Sequence, residues 1–246
     1  MERFSRTENL IGKAALTKLK KSRVAVFGIG GVGGYSAEAL ARSGVGAIDI
    51  IDSDKVATSN INRQIYALSS TVGRFKVDVA AERIKDINPD CKVTTHKIFY
   101  LPETADEIDF KNYDYVLDAV DTVTAKLLIA EKSAQANVPV ISAMGTGNKL
   151  DATGFKVADI YETRGCPLAR VMRTECKRRG ITGLKVVYSE EKAIKPQTAG
   201  KVFGADGGGE TGTRKVPPAS IAFVPPVVGF IMAAEVVKDL IKGDNK

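Results

Sequence analysis

The residues of this sequence best suited to chemistry begin with a glycine-rich turn, just after the strand-like run 23–29. The turn has the spacing G-x-G-x-x-G with a further glycine inside it: Gly28, Gly30, Gly31 and Gly33. Glycines at this spacing let the backbone at a helix N-terminus approach phosphate groups closely. Asp52 closes the next strand, and an acidic residue there suits a ribose hydroxyl. Together these residues predict a nucleotide site, which on this pattern alone also fits NAD.

Two cations and a further carboxylate shift the prediction from hydride transfer to phosphate chemistry. Arg63 and Lys76 follow the acidic strand end, and this pair suits a polyphosphate that must be held and polarised. Asp121 follows the predicted fourth strand, at the carboxyl edge of the sheet where such folds bind ligands. Its carboxylate could hold Mg²⁺ between phosphates, because that ion prefers oxygen ligands. The sequence therefore predicts a nucleoside triphosphate and Mg²⁺ at one site.

Strand and helix patterns alternate over the first two-thirds of the chain, which is the order that a doubly wound sheet requires. The predicted strands cover 23–29, 47–52, 91–99, 113–120 and 139–144. The predicted helices between them cover 32–43, 72–87 and 124–137. The pattern then changes to strands at 155–160 and 184–189, a helix at 167–180, a glycine-rich stretch at 192–220 and a closing helix at 225–241. We predict an α/β fold with a doubly wound, mostly parallel Rossmann-like sheet and a C-terminal extension of further strands and helices, in a single domain of residues 1–246.

Composition narrows the partners and the compartment. With 44% hydrophobic residues, the 246-residue chain can bury a large core, and its net charge of +7 favours a polyanionic partner such as a nucleic acid. The three cysteines form no C-x-x-C pair, which argues against a disulfide framework or a structural zinc site. The most apolar stretch, 221–237, contains two prolines and is short for a membrane span. We expect a cytoplasmic protein without an integral membrane segment, and peripheral membrane association stays open.

The chain resembles the ubiquitin-activating-enzyme-like adenylyltransferases over roughly residues 3–140, with a weaker similarity to the end. Five elements carry the resemblance in order: the glycine turn, Asp52-x-Asp54, Ser59-Asn60-x-Asn62-Arg63-Gln64, Lys76 and Asp118-x-x-Asp121. The order and spacing of these elements are far more specific than a glycine fingerprint alone. The resemblance implies that residues 1–145 form the nucleotide-binding half of the domain.

This resemblance assigns a role to each matching position. The implied roles are ribose binding for Asp52, triphosphate binding for Asn60 and Arg63 with assistance from Gln64, neutralisation of the phosphates for Lys76, and Mg²⁺ binding for Asp121. ATP is the implied substrate, and the implied catalytic residues are Arg63, Lys76 and Asp121, together with Arg6 from the N-terminal segment.

Asp54, Asp118 and Arg6 also belong to the matching motifs. Asp54 either contacts the nucleotide or caps the turn that follows it. Asp118 either belongs to the nucleotide site or accepts hydrogen bonds from loop amides. The segment Arg3-Phe4-Ser5-Arg6 looks like the family's N-terminal arginine segment, in which the second arginine reaches into the partner subunit's site. The resemblance therefore implies a homodimer in which Arg6 acts in trans.

Within this family, the closer resemblance is to the bacterial tRNA threonylcarbamoyladenosine dehydratase group. The segments that carry it are 28–51, 62–68, 81–89 and 167–170. It implies ATP-dependent conversion of N6-threonylcarbamoyladenosine in the tRNA anticodon loop to its cyclic form, through adenylation of the threonyl carboxylate. The carbamoyl group attacks within the same molecule at high effective molarity, so no enzyme thiol is obligatory. Some relatives carry a cysteine in a C-terminal loop where this chain has residues 215–220.

A tRNA substrate requires a cationic surface on the half formed by residues 146–246, which we also expect to contribute to dimerisation. The predicted helix 167–180 and the residues before it supply basic side chains: Arg164, Arg170, Arg173, Lys177 and Arg178. Contacts of such side chains with phosphates position an RNA. The opposite face of the helix is an apolar stripe of Leu168, Val171, Met172 and Cys176, which we expect to be buried.

Other functions stay open on the sequence. One is adenylation of the C-terminus of a sulfur-carrier or ubiquitin-like protein, although members with that activity usually bind zinc through paired cysteines. Another is a NAD-binding oxidoreductase or sensor, and a third is a non-catalytic tRNA-binding protein. A sulfur-relay protein also stays open as a partner.

Overall fold

The computed structural model describes residues 2–195 and 218–242. It contains a seven-stranded sheet whose strands are β1 Arg23–Phe27, β2 Ala47–Ile51, β3 Lys92–His96, β4 Tyr115–Asp118, β5 Val140–Ala143, β6 Phe155–Asp159 and β7 Lys185–Ser189. The helices are α1 Ser5–Ile11, α2 Lys13–Lys21, α3 Gly33–Arg42, α4 Lys76–Ile87, α5 Val123–Ala136, α6 Pro167–Arg178 and α7 Val224–Ile241. The α/β fold class predicted from the sequence is confirmed.

The order of the strands places a crevice at one edge of the sheet. The order is β3-β2-β1-β4-β5-β7-β6, and every neighbouring pair is parallel except β6 with β7. The chain winds outward from β1 in both directions, with β2 on one side and β4 on the other. Ligands of open α/β sheets bind outside the carboxyl ends of the strands at such a switch point. The residues that follow β1, β2 and β4 are therefore brought together.

The core explains why the central strands are almost continuously apolar. Val24, Val26 and Phe27 of β1 are fully buried, because helices cover both faces of the sheet. Helix α7 packs on one face through Val228, Met232 and Val236. It is also tied to the sheet by polar contacts, since the Tyr115 hydroxyl donates to Asp239 and the Lys185 ammonium pairs with Asp239 and Glu235. The C-terminal half thus completes the same core as the first half.

The helices differ from the predicted ones at α4 and before β1. Helix α4 begins at Lys76 rather than at residue 72, because Phe75 forms an isolated bridge with Lys55 and the Arg74 carbonyl accepts from Val56. Helices α1 and α2 were not predicted. The central part of the glycine-rich stretch, residues 196–217, lies outside the described residues. None of the helices in the described ranges is both long and apolar enough to cross a bilayer.

A buried carboxylate on β2 connects β1, β3 and the segment before β4. Asp49 of β2 accepts two hydrogen bonds from Arg23, at 2.9 and 2.8 Å, and one from the Tyr113 hydroxyl at 3.1 Å. The His96 ring nitrogen lies 3.2 Å from the same carboxylate. Burial would raise the pKa of Asp49, but the hydrogen bonds from His96, Arg23 and Tyr113 outweigh it and hold that pKa below its ordinary value.

We expect Asp49→Asn to lower the free energy of unfolding by about 1.5–3 kcal/mol at neutral pH, because charge-assisted hydrogen bonds are lost. A carboxylate with a lowered folded pKa stabilises the fold above its unfolded pKa of about 3.9 and loses that contribution as the pH falls through the folded value. Urea unfolding of both proteins should therefore show a gap that narrows below about pH 4. The control Asp106→Asn removes an exposed pair with Lys132 and should change stability by less than about 0.5 kcal/mol. A gap between the native protein and Asp49→Asn that is independent of pH would contradict this account.

Candidate functional site

A cavity of about 410 Å³ opens at the carboxyl ends of β1, β2 and β4. Most residues that the sequence predicted for a nucleotide site line it: Gly28, Gly30, Gly31, Asp52, Asp54, Asn60, Arg63, Gln64, Lys76 and Asp121. These positions are spread over more than 90 residues of sequence, and the switch point of the sheet brings them together. The structure does not place Gly33, Asp118 or Arg6 in the lining of this cavity.

The glycine turn is held by close contacts between backbone segments. Gly28 has φ of +84°, and a Cβ at this position would lie 2.8 Å from the Ala119 carbonyl oxygen. A Cβ on Gly33 would lie 1.8 Å from the Gly28 carbonyl oxygen, which no side chain can tolerate. Gly33 therefore lets α3 begin against the turn and does not itself face the cavity. The N-terminal end of α3 is thereby directed at the cavity, where the helix dipole favours an anion.

Asp52 is fixed at the end of β2 by two backbone amides. Its Oδ2 accepts from the Ile29 amide at 2.7 Å, and its Oδ1 accepts from the Asp54 amide at 2.8 Å. Burial raises the pKa of Asp52, while the nearby Lys76 charge and the two amide bonds act in the opposite direction. A carboxylate held this rigidly at the cavity rim is a suitable acceptor for a sugar hydroxyl.

Two cations enter the cavity from different elements. Arg63 donates through Nη1 to the Ser59 carbonyl and to Asn62 Oδ1, both at 2.9 Å. Burial lowers the pKa of its guanidinium, and among residues 2–195 and 218–242 it forms no ion pair. Lys76, almost fully buried at the start of α4, donates to Asp54 Oδ2 at 2.7 Å. Since the Asp54 side chain is 62% exposed, an incoming phosphate can compete for this lysine.

Two residues of the predicted nucleotide motif also shape the local backbone. Asn60 Oδ1 accepts from the Ala57 amide at 3.1 Å and so closes the short turn before Arg63. Asp54 pairs with Lys76 by its side chain and accepts the Lys76 amide by its carbonyl. Neither of the two predicted alternatives for Asp54 included this ion pair.

The two carboxylates after β4 have different surroundings. Asp121 is exposed at the cavity, receives a long hydrogen bond of 3.4 Å from Thr122, and has no ion-pair partner in the described part of the chain. Asp118 is only 1% exposed and pairs with Lys126 at 3.0 Å. It also accepts from the Val120 amide at 3.2 Å. Asp118 therefore acts as a structural acceptor for a loop amide, and it lies outside the lining of the cavity.

Sequence reasoning missed the apolar wall of the cavity. Its members are Phe27, Ile51, Ile98, Phe99, Tyr100 and Val120. Tyr100 packs edge-on against Phe27, with ring centroids 4.8 Å apart. A flat, apolar wall of this kind suits a nucleobase. The sequence did contain an indication of this wall, because the consecutive aromatic residues Phe99 and Tyr100 follow β3 at the same edge of the sheet.

The basic residues around α6 lie outside the cavity and do not form a uniform surface. Arg164, Arg170 and Lys177 are exposed, and Arg178 is exposed while paired with Glu175 at 2.7 Å. Arg173 instead donates to Thr163 Oγ1 at 2.7 Å and to the Thr163 carbonyl at 2.8 Å, and so supports the segment before the helix.

The opposite face of α6 is buried, with one exception. Met172 and Cys176 have no exposed surface, as predicted. The prediction was wrong for Val171, which is 44% exposed. Cys166 is also buried, just before the helix, and all three cysteines are free thiols. Arg6 lies exposed on α1, away from the cavity lining of its own chain.

Comparisons with known proteins agree on one family. The ThiF family profile matches residues 4–246. The tRNA threonylcarbamoyladenosine dehydratase of Bacillus subtilis is 47% identical, over 98% of this chain and 96% of the relative, and the Escherichia coli protein of that name is 36% identical, over 97% and 93%. A crystal structure of the E. coli enzyme in complex with ATP has a TM-score of 0.85 at 33% identity and covers 98% of this chain and 94% of its own.

Two neighbouring glycine substitutions should separate folding from ligand binding. Gly33→Ala forces a methyl group into the Gly28 carbonyl, and we expect the free energy of unfolding to fall by about 2–4 kcal/mol. A Cβ on Gly30 meets nothing closer than Gln64 Nε2 at 3.9 Å, so the fold should tolerate Gly30→Ala. That methyl group faces the cavity and should weaken ATP binding about tenfold or more. Thermal unfolding and calorimetric titration measure the two effects. Equal effects of both variants on stability would contradict the roles assigned to these glycines.

Proposed function

We propose that this chain, which belongs to the ThiF family, is an ATP-dependent tRNA threonylcarbamoyladenosine dehydratase. The observation that carries this proposal is the cavity that combines Asp52, Arg63, Lys76 and Asp121 in a chain matched over nearly its full length by named dehydratases. The substrate is N6-threonylcarbamoyladenosine in the anticodon loop of a tRNA. The product is its cyclic form.

ATP is proposed to lie along the cavity from the apolar wall to the cations. The base packs on the wall that includes Phe99, and Asp52 accepts a ribose hydroxyl. The glycine turn and the α3 N-terminus face the phosphates. Asn60, Arg63 and Gln64 bind the triphosphate, and Lys76 leaves Asp54 to neutralise it. These roles follow the chemistry of the groups that line the cavity.

Mg²⁺ is a proposed cofactor, and the donor set fits it. The described residues contain no cluster of three acidic, histidine or cysteine side chains that could hold a metal on its own. Magnesium does not require such a cage, since it is usually bound by one or two carboxylates, substrate phosphates and water. Asp121, exposed at the cavity and free of ion pairs within the described ranges, would supply the carboxylate. When bound, the ion supplies positive charge to the phosphate oxygens.

The reaction divides into two displacements. The threonyl carboxylate attacks the α-phosphate of ATP, so that a carboxyl oxygen–phosphorus bond forms and pyrophosphate leaves. The carbamoyl group of the same nucleoside then attacks the activated carbonyl, the ring closes, and AMP leaves with the former carboxylate oxygen. The net change in the nucleoside is the loss of one water. Because Arg63 and Lys76 face the phosphates, they stabilise negative charge that develops there.

The observations favour this function over adenylation of a sulfur-carrier protein. An Aspergillus niger adenylyltransferase and sulfurtransferase, uba4, is 37% identical over 79% of this chain, but the match covers only 45% of that protein. The B. subtilis and E. coli dehydratases, by contrast, match over 96% and 93% of their own lengths, at 47% and 36% identity. A NAD-binding function is also less well supported, since it leaves Arg63 and Lys76 without a triphosphate to bind.

Assembly, location and further partners form the remaining part of the proposal. We propose a homodimer in which Arg6 enters the partner's cavity. Its exposure on α1 and its absence from the cavity lining of its own chain support this arrangement. We place the protein in the cytoplasm, where its tRNA substrate lies, and retain a sulfur-relay protein as a possible partner.

We expect Arg63→Ala and Asp121→Ala to reduce conversion of the modified tRNA by about 100-fold or more, since each removes charge stabilisation at the phosphates. The assay is mass spectrometry of anticodon-loop nucleosides after incubation with ATP, where conversion appears as the loss of one water. Arg74→Ala is the matched control, because Arg74 is exposed and pairs with Glu82 outside the cavity. The control should retain activity within about twofold. Full dehydration by either site variant would refute the assigned roles.

The exposed basic residues of α6 are proposed to contact the tRNA backbone. We expect the double variant Arg170→Ala/Lys177→Ala to weaken tRNA binding about tenfold and to reduce the slope of log affinity against log salt by about 2. ATP binding should not change, because neither residue lines the cavity. The control Lys13→Ala/Lys20→Ala removes the same charge from exposed positions of α2. If both double variants lose affinity equally, binding depends on net charge and not on α6.

A further inference from the structure

Lys126 is a buried lysine that no sequence motif identified. It lies in the first turn of α5, and its side chain is 1% exposed. Its ammonium group has three acceptors: Asp118 Oδ2 at 3.0 Å, Ser142 Oγ at 3.2 Å and the Ala143 carbonyl at 2.7 Å. A lysine ammonium has three hydrogens, so every donor of this buried group is satisfied.

The charges of this cluster balance each other inside the protein. Asp118 is as deeply buried as Lys126, and Ser142 donates its hydroxyl proton to the same carboxylate oxygen at 2.5 Å. An unpaired charge at this depth would be strongly unfavourable. A protein in which apolar side chains replace such a buried ion pair is often no less stable than the original. The cluster therefore has no obvious advantage for stability alone. A role for the cluster therefore has to come from the backbone segments that it holds in position.

The acceptors of Lys126 are the last residues of two neighbouring strands. Asp118 ends β4, and Ser142 with Ala143 ends β5. Beyond β4, the segment 119–122 lines the cavity and includes Asp121, while beyond β5 Thr146 and Gly147 line it. Asp118 also accepts the Val120 amide through its second oxygen, so the cluster extends into the first of these segments.

The same segment supports the glycine turn. Cβ atoms built on Gly28 and Gly33 would meet Ala119 at 2.8 and 3.2 Å. A shift of residues 119–122 would therefore move Asp121 and would also loosen the surface against which the phosphate-binding turn packs. Lys126 itself does not line the cavity, so any effect on the reaction passes through these residues.

We propose that Lys126 is a positioning residue for adenylation: through Asp118, Ser142 and Ala143 it fixes the two segments that carry Asp121 and Thr146 relative to the glycine turn. The proposal rests on the proposed function for the reaction it serves. Its structural part, the fixing of the two segments, does not depend on which acid is adenylated. Supporting interactions of this kind typically change activity or metal affinity by about 10–100-fold.

The test compares Lys126→Met with Lys132→Met in the full-length protein. Lys132 lies on the same helix, but its partner Asp106 is 97% exposed, so the control removes an equal charge at the surface. Three quantities are measured: amide hydrogen exchange of segments 118–122 and 143–147, affinity for an adenine nucleotide in EDTA, and turnover of modified tRNA with a titration of Mg²⁺. The exchange and EDTA measurements need neither the tRNA nor the metal.

We expect Lys126→Met to accelerate exchange in these two segments and to lower turnover about tenfold or more, with a higher Mg²⁺ requirement. Nucleotide affinity in EDTA should change less than about threefold, since Asp52 and the backbone of the turn remain. Lys132→Met should match the native protein in all three measurements. Unchanged local exchange, or a lower melting temperature with normal turnover per folded molecule, would overturn the proposal.

A second variant covers the case in which Lys126→Met does not fold. Ser142→Ala keeps the ion pair and removes only the hydroxyl that bridges Lys126 and Asp118. Ser142→Ala should also accelerate exchange in the two segments and lower turnover, but only about threefold. Exchange and turnover equal to those of the native protein would again overturn the proposal. If the native protein failed to dehydrate the modified tRNA, the proposed function would fall. The exchange data would still decide whether Lys126 fixes the two segments.

Discussion

The site depends on a close approach between backbone segments that only glycine permits. Gly33 lies directly against the Gly28 carbonyl, and Gly28 lies against Ala119 at the end of β4. This contact joins the first strand, the first helix of the sheet and the β4 loop at one point. Because the point coincides with the switch in strand order, the N-terminal end of α3 and Asp121 both face the same cavity. A side chain at this contact would separate the helix from the loop.

Electrostatics then determines which ligand the cavity favours. The cavity lining contains Asp52, which is held by two backbone amides, and the two cations Arg63 and Lys76. Burial disfavours the charged form of Arg63, so an anion that pairs with it relieves part of that cost. Lys76 is neutralised by an exposed aspartate, which a more highly charged phosphate can replace. These charges favour a polyanionic ligand, and the apolar wall of the same cavity suits a nucleobase.

Much of this arrangement could be predicted from the sequence, because it depends on local rules. Buried parallel strands read as apolar runs, and the turns after them carry Gly, Asp and Asn at fixed spacing, so the sequence locates the strands and the polar residues at their carboxyl ends. The predicted start of α4 was four residues too early, because a tertiary bridge between Lys55 and Phe75 holds the preceding segment extended. Helix α2 is stabilised by the packing of Leu16 and Leu19, and packing of this kind does not show in a short, highly charged segment.

The buried ion pair between Asp118 and Lys126 could not have been predicted from such local rules. Asp118 sits at a position where either a ligand contact or a structural role is possible, and only the partner decides between them. That partner, Lys126, is eight residues away on a helix whose pattern gives no sign that a lysine faces inward. Long-range contacts between side chains, rather than the periodicity of single elements, separate the site residues from the residues that support them.

The most direct measurement is a crystal structure of the protein with a non-hydrolysable ATP analogue and Mg²⁺. The account predicts the ribose on Asp52, the base against Phe99 and Tyr100, and phosphate oxygens within about 3 Å of Arg63 and Lys76, with the metal between them and Asp121. A triphosphate that lies away from Arg63 and Asp121, or a nucleotide bound outside this cavity, would contradict it.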